Sequence, residues 1–506
     1  MYISNVTVEH AQIMQDSKSS YRSIFKATSL FGGVQVYQIL IQIIKSKIIA
    51  VLLGPAGVGV IGLFQSGLDL VKNLTSMGLA SSAVRDVSEA NGSRDSQKIS
   101  KTVTVARRLV WITGMLGLTV VAVTSPLLSK SAFGNYDYTI PFIFLSIILL
   151  LDQLSAGQKV ILQGLRRLKD LARCSAIGVT VGLIVSIPFY YWMGIEGIAP
   201  TLILTSACSL LVSWWYSRKM KIGKVDISVK ETFIHGRQML VMGVSMSLSG
   251  IFATAVAYIT RGYIQSAGGV EEVGLYQAGF AIMTTYVGLV MNAIATDYYP
   301  RLASINNDNE KCRQTVCQQG EIGTMILAPL LTICLVFMPF VLKILYSDEF
   351  IAANQYISWA CLGMLLRLGS WVIGFLFIAK AESKLYIVNE LCANVYFLLL
   401  YIIGYKYWGL CGIGAAFALA YAIYFIQVYF VARKRYEFTF SREFTVCYGS
   451  QIALVVGCLI LVLFTDGLLK YSVGCLFILL SIFFGIRDLN KRMDILGMLK
   501  QKLNNR

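Results

Sequence analysis

The apolar residues of this chain gather into fourteen runs, and the runs recur as a six-helix unit that occurs twice. Each run approaches the roughly 20 residues that a helix needs to cross a bilayer. They lie near 28–53, 57–84, 109–130, 139–163, 174–193, 197–217, 238–265, 275–299, 321–345, 354–379, 385–405, 409–432, 445–464 and 470–486. In the first unit the chain reads Gly62-Leu63-Phe64-Gln65-Ser66-Gly67, and at an offset of 212 it reads Gly274-Leu275-Tyr276-Gln277-Ala278-Gly279. A second echo, at 215, sets Gly194-Ile195-Glu196-Gly197-Ile198-Ala199 against Gly409-Leu410-Cys411-Gly412-Ile413-Gly414. An even number of spans returns the chain to the side from which it started, so the copies are parallel. The expected fold is an all-α polytopic membrane protein: two parallel six-helix bundles related by a pseudo-twofold axis along the membrane normal, plus two extra C-terminal helices. In such a layout a substrate site lies at the repeat interface near the bilayer midplane.

The organisation follows directly. Residues 1–27 form a cytoplasmic N-terminal segment, 28–217 the first bundle, 218–237 a cytoplasmic linker and 238–432 the second bundle. Residues 445–486 supply the two additional helices, and 487–506 a basic amphipathic tail with leucines and Met493 on one face, suited to lie on the inner leaflet. No cleavable signal peptide is expected, because the polar start leads straight into a full-length span.

Charge orients the spans. With the N-terminus in the cytoplasm, segments on that side hold 34 of the 44 Lys and Arg residues, the opposite side holds 4, and 6 lie within spans. That partition obeys the positive-inside rule. The net charge of +17 is therefore spent on orientation and on anionic lipid of the inner leaflet, and no nucleic-acid partner is expected. A chain with 56% apolar and only 14% charged residues also excludes a soluble domain.

Enzymatic chemistry finds little footing. The two histidines, His10 and His235, fall outside the spans, and the eleven cysteines are scattered without metal-site spacing. The longest loops, 85–108 and 218–237, read as solvated basic connectors of about twenty residues, too short for a catalytic domain. No phosphate-binding loop of Walker type is present. No cofactor, metal or catalytic residue is expected.

Polar residues inside spans carry the functional information, since burying them is costly unless they face water or a partner. Gln35, Gln38, Gln42 and Lys45 share one face of the first span. Gln65, Asp69, Lys72 and Asn73 share a face of the second, where Asp69 and Lys72 form an i,i+3 pair able to neutralise each other. Asp152 and Lys159 align on the fourth span; Thr254, Tyr258, Arg261 and Gln265 on the seventh; Arg367 lies within the tenth, at offset 215 from Asp152. Stripes on five helices favour a wet cavity over simple helix–helix bonding. Lys45, Lys72, Lys159, Arg261 and Arg367 against Asp69 and Asp152 give it a net charge of +3, suited to an anionic substrate. Asp152, with Lys159 two turns away, is a candidate for coupling to H+ or Na+, and Asp69 the next; a static ion pair is the competing reading of Asp152.

Two segments carry a resemblance. Leu52-Leu53-Gly54-Pro55-Ala56-Gly57-Val58-Gly59 after the first span, and Asp297-Tyr298-Tyr299-Pro300-Arg301-Leu302 closing the eighth, resemble the O-antigen and lipid III flippases of the multidrug/oligosaccharidyl-lipid/polysaccharide exporter superfamily. The similarity runs over residues 28–432. It implies a flippase of the bacterial inner membrane that moves an undecaprenyl-diphosphate-linked oligosaccharide from the cytoplasmic to the periplasmic leaflet by alternating access. The substrate would be an O-antigen, common-antigen-like or capsule repeat unit, with a polysaccharide polymerase and a chain-length regulator as partners. The family's cationic cavity residues would correspond to Lys45, Arg261 and Arg367. Many members stop after twelve spans and this chain adds two, as peptidoglycan-precursor flippases do, so that substrate stays open. A multidrug antiporter of the same superfamily is the other reading.

Overall fold

In hydrocarbon a backbone must satisfy its own hydrogen bonds, which restricts apolar runs of this length to helices. The computed structural model describes the backbone of residues 2–493, apart from 94, 221, 224, 226 and 381, and side chains from Gly33 onward with scattered exceptions. The expected segment 1–27 has its side chains outside the described residues, and the basic tail falls outside them from residue 494 onward.

Thirteen α-helices are described: α1 (Tyr2–Thr75), α2 (Leu79–Gly92), α3 (Ser96–Phe133), α4 (Thr139–Gly164), α5 (Leu168–Met193), α6 (Ile198–Arg218), α7 (Val229–Ala281), α8 (Gly288–Ser304), α9 (Asn309–Leu345), α10 (Asn354–Ala379), α11 (Ser383–Tyr436), α12 (Arg442–Phe464) and α13 (Gly467–Met493). A π-helical turn, Ile282–Val287, joins α7 to α8. Ten continuous helical stretches among the described residues are long and apolar enough to cross a membrane, rather than fourteen separate ones. The difference lies in four of them, Gly33–Thr75, Leu168–Arg218, Gly250–Asn292 and Lys384–Tyr436, each of which carries two of the fourteen runs.

Each of the four is interrupted at a glycine with positive φ. Gly54 (φ 62°, ψ −169°) bends α1 and Gly269 (φ 86°, ψ 175°) bends α7. Gly194 (φ 56°, ψ −131°) separates α5 from α6, and Gly409 (φ 56°, ψ −139°) interrupts α11. A side chain would be strained at such φ values, and glycine is not. Both pairs are separated by 215 residues, so the structural repeat has one offset, and the first sequence echo, at 212, is displaced from it by three residues.

At the second pair the chain reverses. A Cβ on Gly412 would lie 1.9 Å from the Gly404 carbonyl oxygen, and one on Gly197 would lie 2.5 Å from that of Phe189. Residues eight apart in a straight helix are separated by about 12 Å, so these contacts require a hairpin. The shared Gly-x-x-Gly therefore has two duties: its first glycine takes the positive φ, and its last allows the two limbs to touch.

The chain divides into two compact units. Unit 1 comprises Met1–Leu52, Gly67–Ser131 and Asn135–Leu248; unit 2 comprises Leu53–Ser66, Ala132–Gly134 and Ser249–Arg506. Within unit 1, α4 packs against α2 and α6. The segments 85–108 and 218–237 are not the solvated connectors expected. Val87 and Ala90 of α2, Val103 and Ala106 of α3, and Ile227 are buried in one apolar cluster. The Arg108 guanidinium also donates to the Ile227 carbonyl and, at 3.1 Å, to Thr232 Oγ1. The second limb of α1 stops at Thr75, short of the expected 84; the chain turns through Met77 and Gly78, both with positive φ, into α2.

Within unit 2, a Cβ on Gly59 would lie 2.0 Å from the Val270 carbonyl oxygen, and one on Gly274 would lie 1.9 Å from that of Pro55. The two contacts exchange when residues are shifted by 215. Helix α9 packs on α10, α12 and α13. The α12–α13 pair is fastened by a reciprocal buried bond: Gln451 Nε2 donates to the Ser481 carbonyl at 3.0 Å, and Ser481 Oγ donates to Gln451 Oε1 at 2.7 Å.

Candidate functional site

Small residues bring α10 and α11 together. A Cβ on Gly363 would lie 2.3 Å from the Phe417 ring, and one on Gly414 would lie 2.5 Å from the Tyr356 carbonyl oxygen. Close approach at these points is the usual means of packing membrane helices. One turn beyond Gly363 stands Arg367, at a cavity of about 410 Å³ walled by α7, the π-turn, α10 and both limbs of α11. Its walls are aromatic, with Tyr276, Phe280, Trp371, Phe375, Phe397 and Tyr421 among them; its polar groups include Arg367, Glu390, Asn394 and Thr260. The π-turn places Thr284 on the wall, a common use of such an irregularity.

The cavity carries charge of both signs. The Arg367 guanidinium lies over the Tyr421 ring, 5.6 Å from its centroid, and its Nη1 is 3.9 Å from Met364 Sδ. Across the aromatic wall the Tyr424 hydroxyl donates to a Glu390 carboxylate oxygen. A cation over an aromatic face keeps its charge while its hydration is thinned, which strengthens its pull on an anion entering the cavity.

Arg261 stands behind this wall. It is 6% exposed, its Nε donates to Gln277 Oε1 at 2.9 Å and its Nη1 to the Ala257 carbonyl at 3.0 Å. Its guanidinium lies 5.7 and 5.2 Å from the centroids of Tyr276 and Phe280, two of the wall aromatics. On the same helix, Thr254 Oγ1 donates back to the Gly250 and Ile251 carbonyls, and Gln265 Nε2 donates to the Phe133 carbonyl at 2.8 Å. These two are spent on the scaffold. Tyr258 is half-buried, and Gln65, which packs with unit 2, is exposed.

The other expected residues belong to unit 1. Lys45 is half-buried and makes no ion pair among the described residues. Gln35 and Gln42 are exposed, while Gln38, Asn73 and Lys159 are half-buried. Lys72 Nζ donates to Asp152 Oδ2 at 2.8 Å, joining α1 to α4. The ion pair that Asp152 makes is thus across helices, with Lys72, rather than along α4 with Lys159. Asp69 is exposed on α1.

Glu390 and Asn394 were absent from the sequence reading, although their signal is plain. Tyr386, Glu390, Ala393, Asn394, Phe397 and Tyr401 all line the cavity and follow the 3.6-residue period along the first limb of α11. A carboxylate in the middle of an apolar run is itself the cue.

Comparison with known proteins agrees with this architecture. The family model described as "Polysaccharide biosynthesis protein" matches residues 48–355. The lipid III flippase of Escherichia coli (strain K12) is 24% identical over 422 residues, covering 80% of this chain and 96% of that protein. Among solved structures, the lipid II flippase MurJ in an inward closed conformation superposes with a TM-score of 0.64 at 14% identity, covering 92% of this chain and 98% of the other. An inward-facing multidrug resistance MATE family transporter gives a TM-score of 0.68 at 16% identity, covering 79% and 94%. The chain therefore belongs to the polysaccharide biosynthesis protein family, and its multi-pass helical fold is that of the MATE and MurJ membrane proteins.

Proposed function

We propose that this protein flips an undecaprenyl-diphosphate-linked oligosaccharide from the cytoplasmic to the periplasmic leaflet of a bacterial inner membrane by alternating access. The observation that carries this reading is the similarity to a lipid III flippase along 96% of that protein's length. The geometry of unit 2 is suited to it. A diphosphate needs a cation held in a protected place, and sugar rings need aromatic faces with a few hydrogen-bonding groups beside them. Arg367, the surrounding aromatics, Glu390 and Asn394 meet both needs in one cavity. Lys45, Lys72, Lys159 and Arg261 are the further basic residues assigned to the headgroup pathway, with Arg261 acting through Tyr276 and Phe280.

The reading extends to topology. Counting each glycine-bent or glycine-broken stretch as two crossings turns ten stretches into fourteen spans, with both termini cytoplasmic. The 215-residue spacing of the bends and the exchanged Gly59–Val270 and Gly274–Pro55 contacts support a twofold repeat along the membrane normal. The repeat unit transferred is an O-antigen, common-antigen-like or capsule oligosaccharide, with a polymerase and a chain-length regulator downstream.

A second reading draws on the same cavity. Glu390 amid aromatic rings also suits a hydrophobic cation, as in a multidrug antiporter. Flipping of a fluorescent polyprenyl-diphosphate oligosaccharide in proteoliposomes, run beside efflux of a cationic dye, separates the two. Flipping without dye efflux is the expected result; dye efflux alone would replace the flippase reading.

A further inference from the structure

Unit 1 holds a groove of about 380 Å³ lined by Trp111, Leu154, Gln158, Leu210, Leu211 and Trp214. Small residues beside it bring the three helices together. A Cβ on Gly157 of α4 would lie 2.9 Å from Val110 of α3, and Ser155 of α4 hydrogen-bonds Ser209 and Ser213 of α6, each at 3.2 Å. The three helices are thereby drawn close, while Trp111 on α3 and Trp214 on α6 stand at its sides, 52% and 46% exposed. The one polar lining residue, Gln158, accepts from the Ser217 hydroxyl.

Both flanking helices place an arginine at the same end of this groove. Contacts of Val110 with Gly157, and of Gly114 with Leu150 and Gln153, run α3 antiparallel to α4. Those of Ser155 with Ser209 and of Gln158 with Ser217 run α6 parallel to it. Arg107, one turn before Trp111, and Arg218, one turn after Trp214, therefore mark one end. The Arg218 guanidinium lies 5.1 Å from the Trp214 ring centroid, and Lys219 Nζ lies 3.6 Å from that of Trp215. By the partition of basic residues this end faces the cytoplasm. Tryptophans at an interface are ordinary in membrane proteins; an apolar groove that ends on two arginines at headgroup depth adds charge complementary to a lipid phosphate.

We infer that this groove is a binding site for one anionic phospholipid of the inner leaflet, an acyl chain lying between Trp111 and Trp214 and the phosphate held by Arg218 and Arg107. The inference rests on the membrane fold and its orientation, and stands independently of what the protein transports. The test is native mass spectrometry of the full-length protein released from micelles containing palmitoyl-oleoyl phosphatidylglycerol, its phosphatidylcholine counterpart or undecaprenyl diphosphate. The wild type should retain one phosphatidylglycerol and release phosphatidylcholine. Arg107→Gln with Arg218→Gln should lower that retention roughly tenfold or more, and Trp111→Ala with Trp214→Ala should lower it too. Arg433→Gln, in a basic cluster of unit 2, should leave it unchanged. Should the double arginine variant fail to fold, Arg218→Lys and the salt dependence of retention serve instead: retention should fall with added salt. Equal retention of the two phospholipids, loss of undecaprenyl diphosphate together with phosphatidylglycerol in the arginine double variant, salt-independent retention, or undiminished phosphatidylglycerol retention in that variant would each overturn the site.

Discussion

Arg367 and Glu390 face a single question at the scale of the residue, namely which charge the cavity presents to its substrate. An empty cavity holding one of each sign is close to balanced, and an anionic headgroup must compete with Glu390 for the field of Arg367. Removing a charge-assisted bond costs roughly 1.5–3 kcal/mol, so Arg367→Ala should slow flipping by about ten- to a hundredfold at normal protein abundance. Glu390→Gln keeps an oxygen to accept from Tyr424 and removes the competing charge. It should tighten the apparent affinity for the lipid-linked diphosphate, measured as a lower half-saturating concentration in proteoliposomes. Under the antiporter reading the same change should abolish cation efflux. The opposite signs make this substitution the sharper of the two.

Asp152 poses a different question, because its partner is Lys72 on another helix. Both side chains are partly exposed, so the pair is screened and worth only about 1 kcal/mol to the fold. Asp152→Asn should lower thermal stability slightly, and the exchange Lys72→Asp with Asp152→Lys should restore it, read as the detergent melting midpoint at fixed scan rate. If Asp152 is only a structural partner, flipping by the exchanged variant will keep its dependence on the ion gradient. Loss of that dependence would make Asp152 the coupling group. The pairing was illegible in the sequence for a physical reason: the i,i+3 and i,i+4 rules see one helix, and a contact between α1 and α4 depends on how they pack. Arg367 was legible because a mid-span arginine is costly in any packing. Glu390 is equally legible by that rule.

At the scale of the element, the Gly-x-x-Gly echo is the part of the fold that the sequence displayed most directly. Its meaning was hidden, since similarity of letters does not say that Gly409 supplies a backbone angle while Gly412 supplies room. The two roles predict different penalties. Gly409 has open space around its missing Cβ, so Gly409→Ala should cost only the strain of positive φ, about 1–2 kcal/mol. Gly412→Ala would drive a methyl group into the Gly404 carbonyl and should cost about 2–3 kcal/mol or open the hairpin. The ranking of melting midpoints, wild type above Gly409→Ala above Gly412→Ala, checks the assignment. Gly194 and Gly197 should give the same order. The bends at Gly54 and Gly269 were less visible, because beside them only Val58-Gly59 recurs, as Val273-Gly274, and the longer echo nearby runs at 212 rather than 215.

At the scale of the whole molecule the decisive property is the side of the membrane on which each turn lies. Lys and Arg divide 34 to 4 between the two sides of the expected topology, and an error of one span in the middle would scramble that ratio. Three of the expected turns lie between described helices. Asn135 lies between α3 and α4, Asn307 between α8 and α9, and Asp466 between α12 and α13. The least obvious site is Ala267, which sits inside one continuous helix, two residues before the Gly269 bend. If the bend only curves a single crossing, Ala267 is buried in lipid and the second half of the chain is inverted relative to the first. If the bend separates two crossings, Ala267 is at the periplasmic surface and the copies are parallel. Fusions of a reporter active only in the periplasm at Asn135, Ala267 and Asp466 should be active, and those at Asn91 and Asn307 silent. A silent fusion at Ala267 together with an active one at Asn307 would remove the parallel repeat, and with it the twofold axis on which alternating access is built.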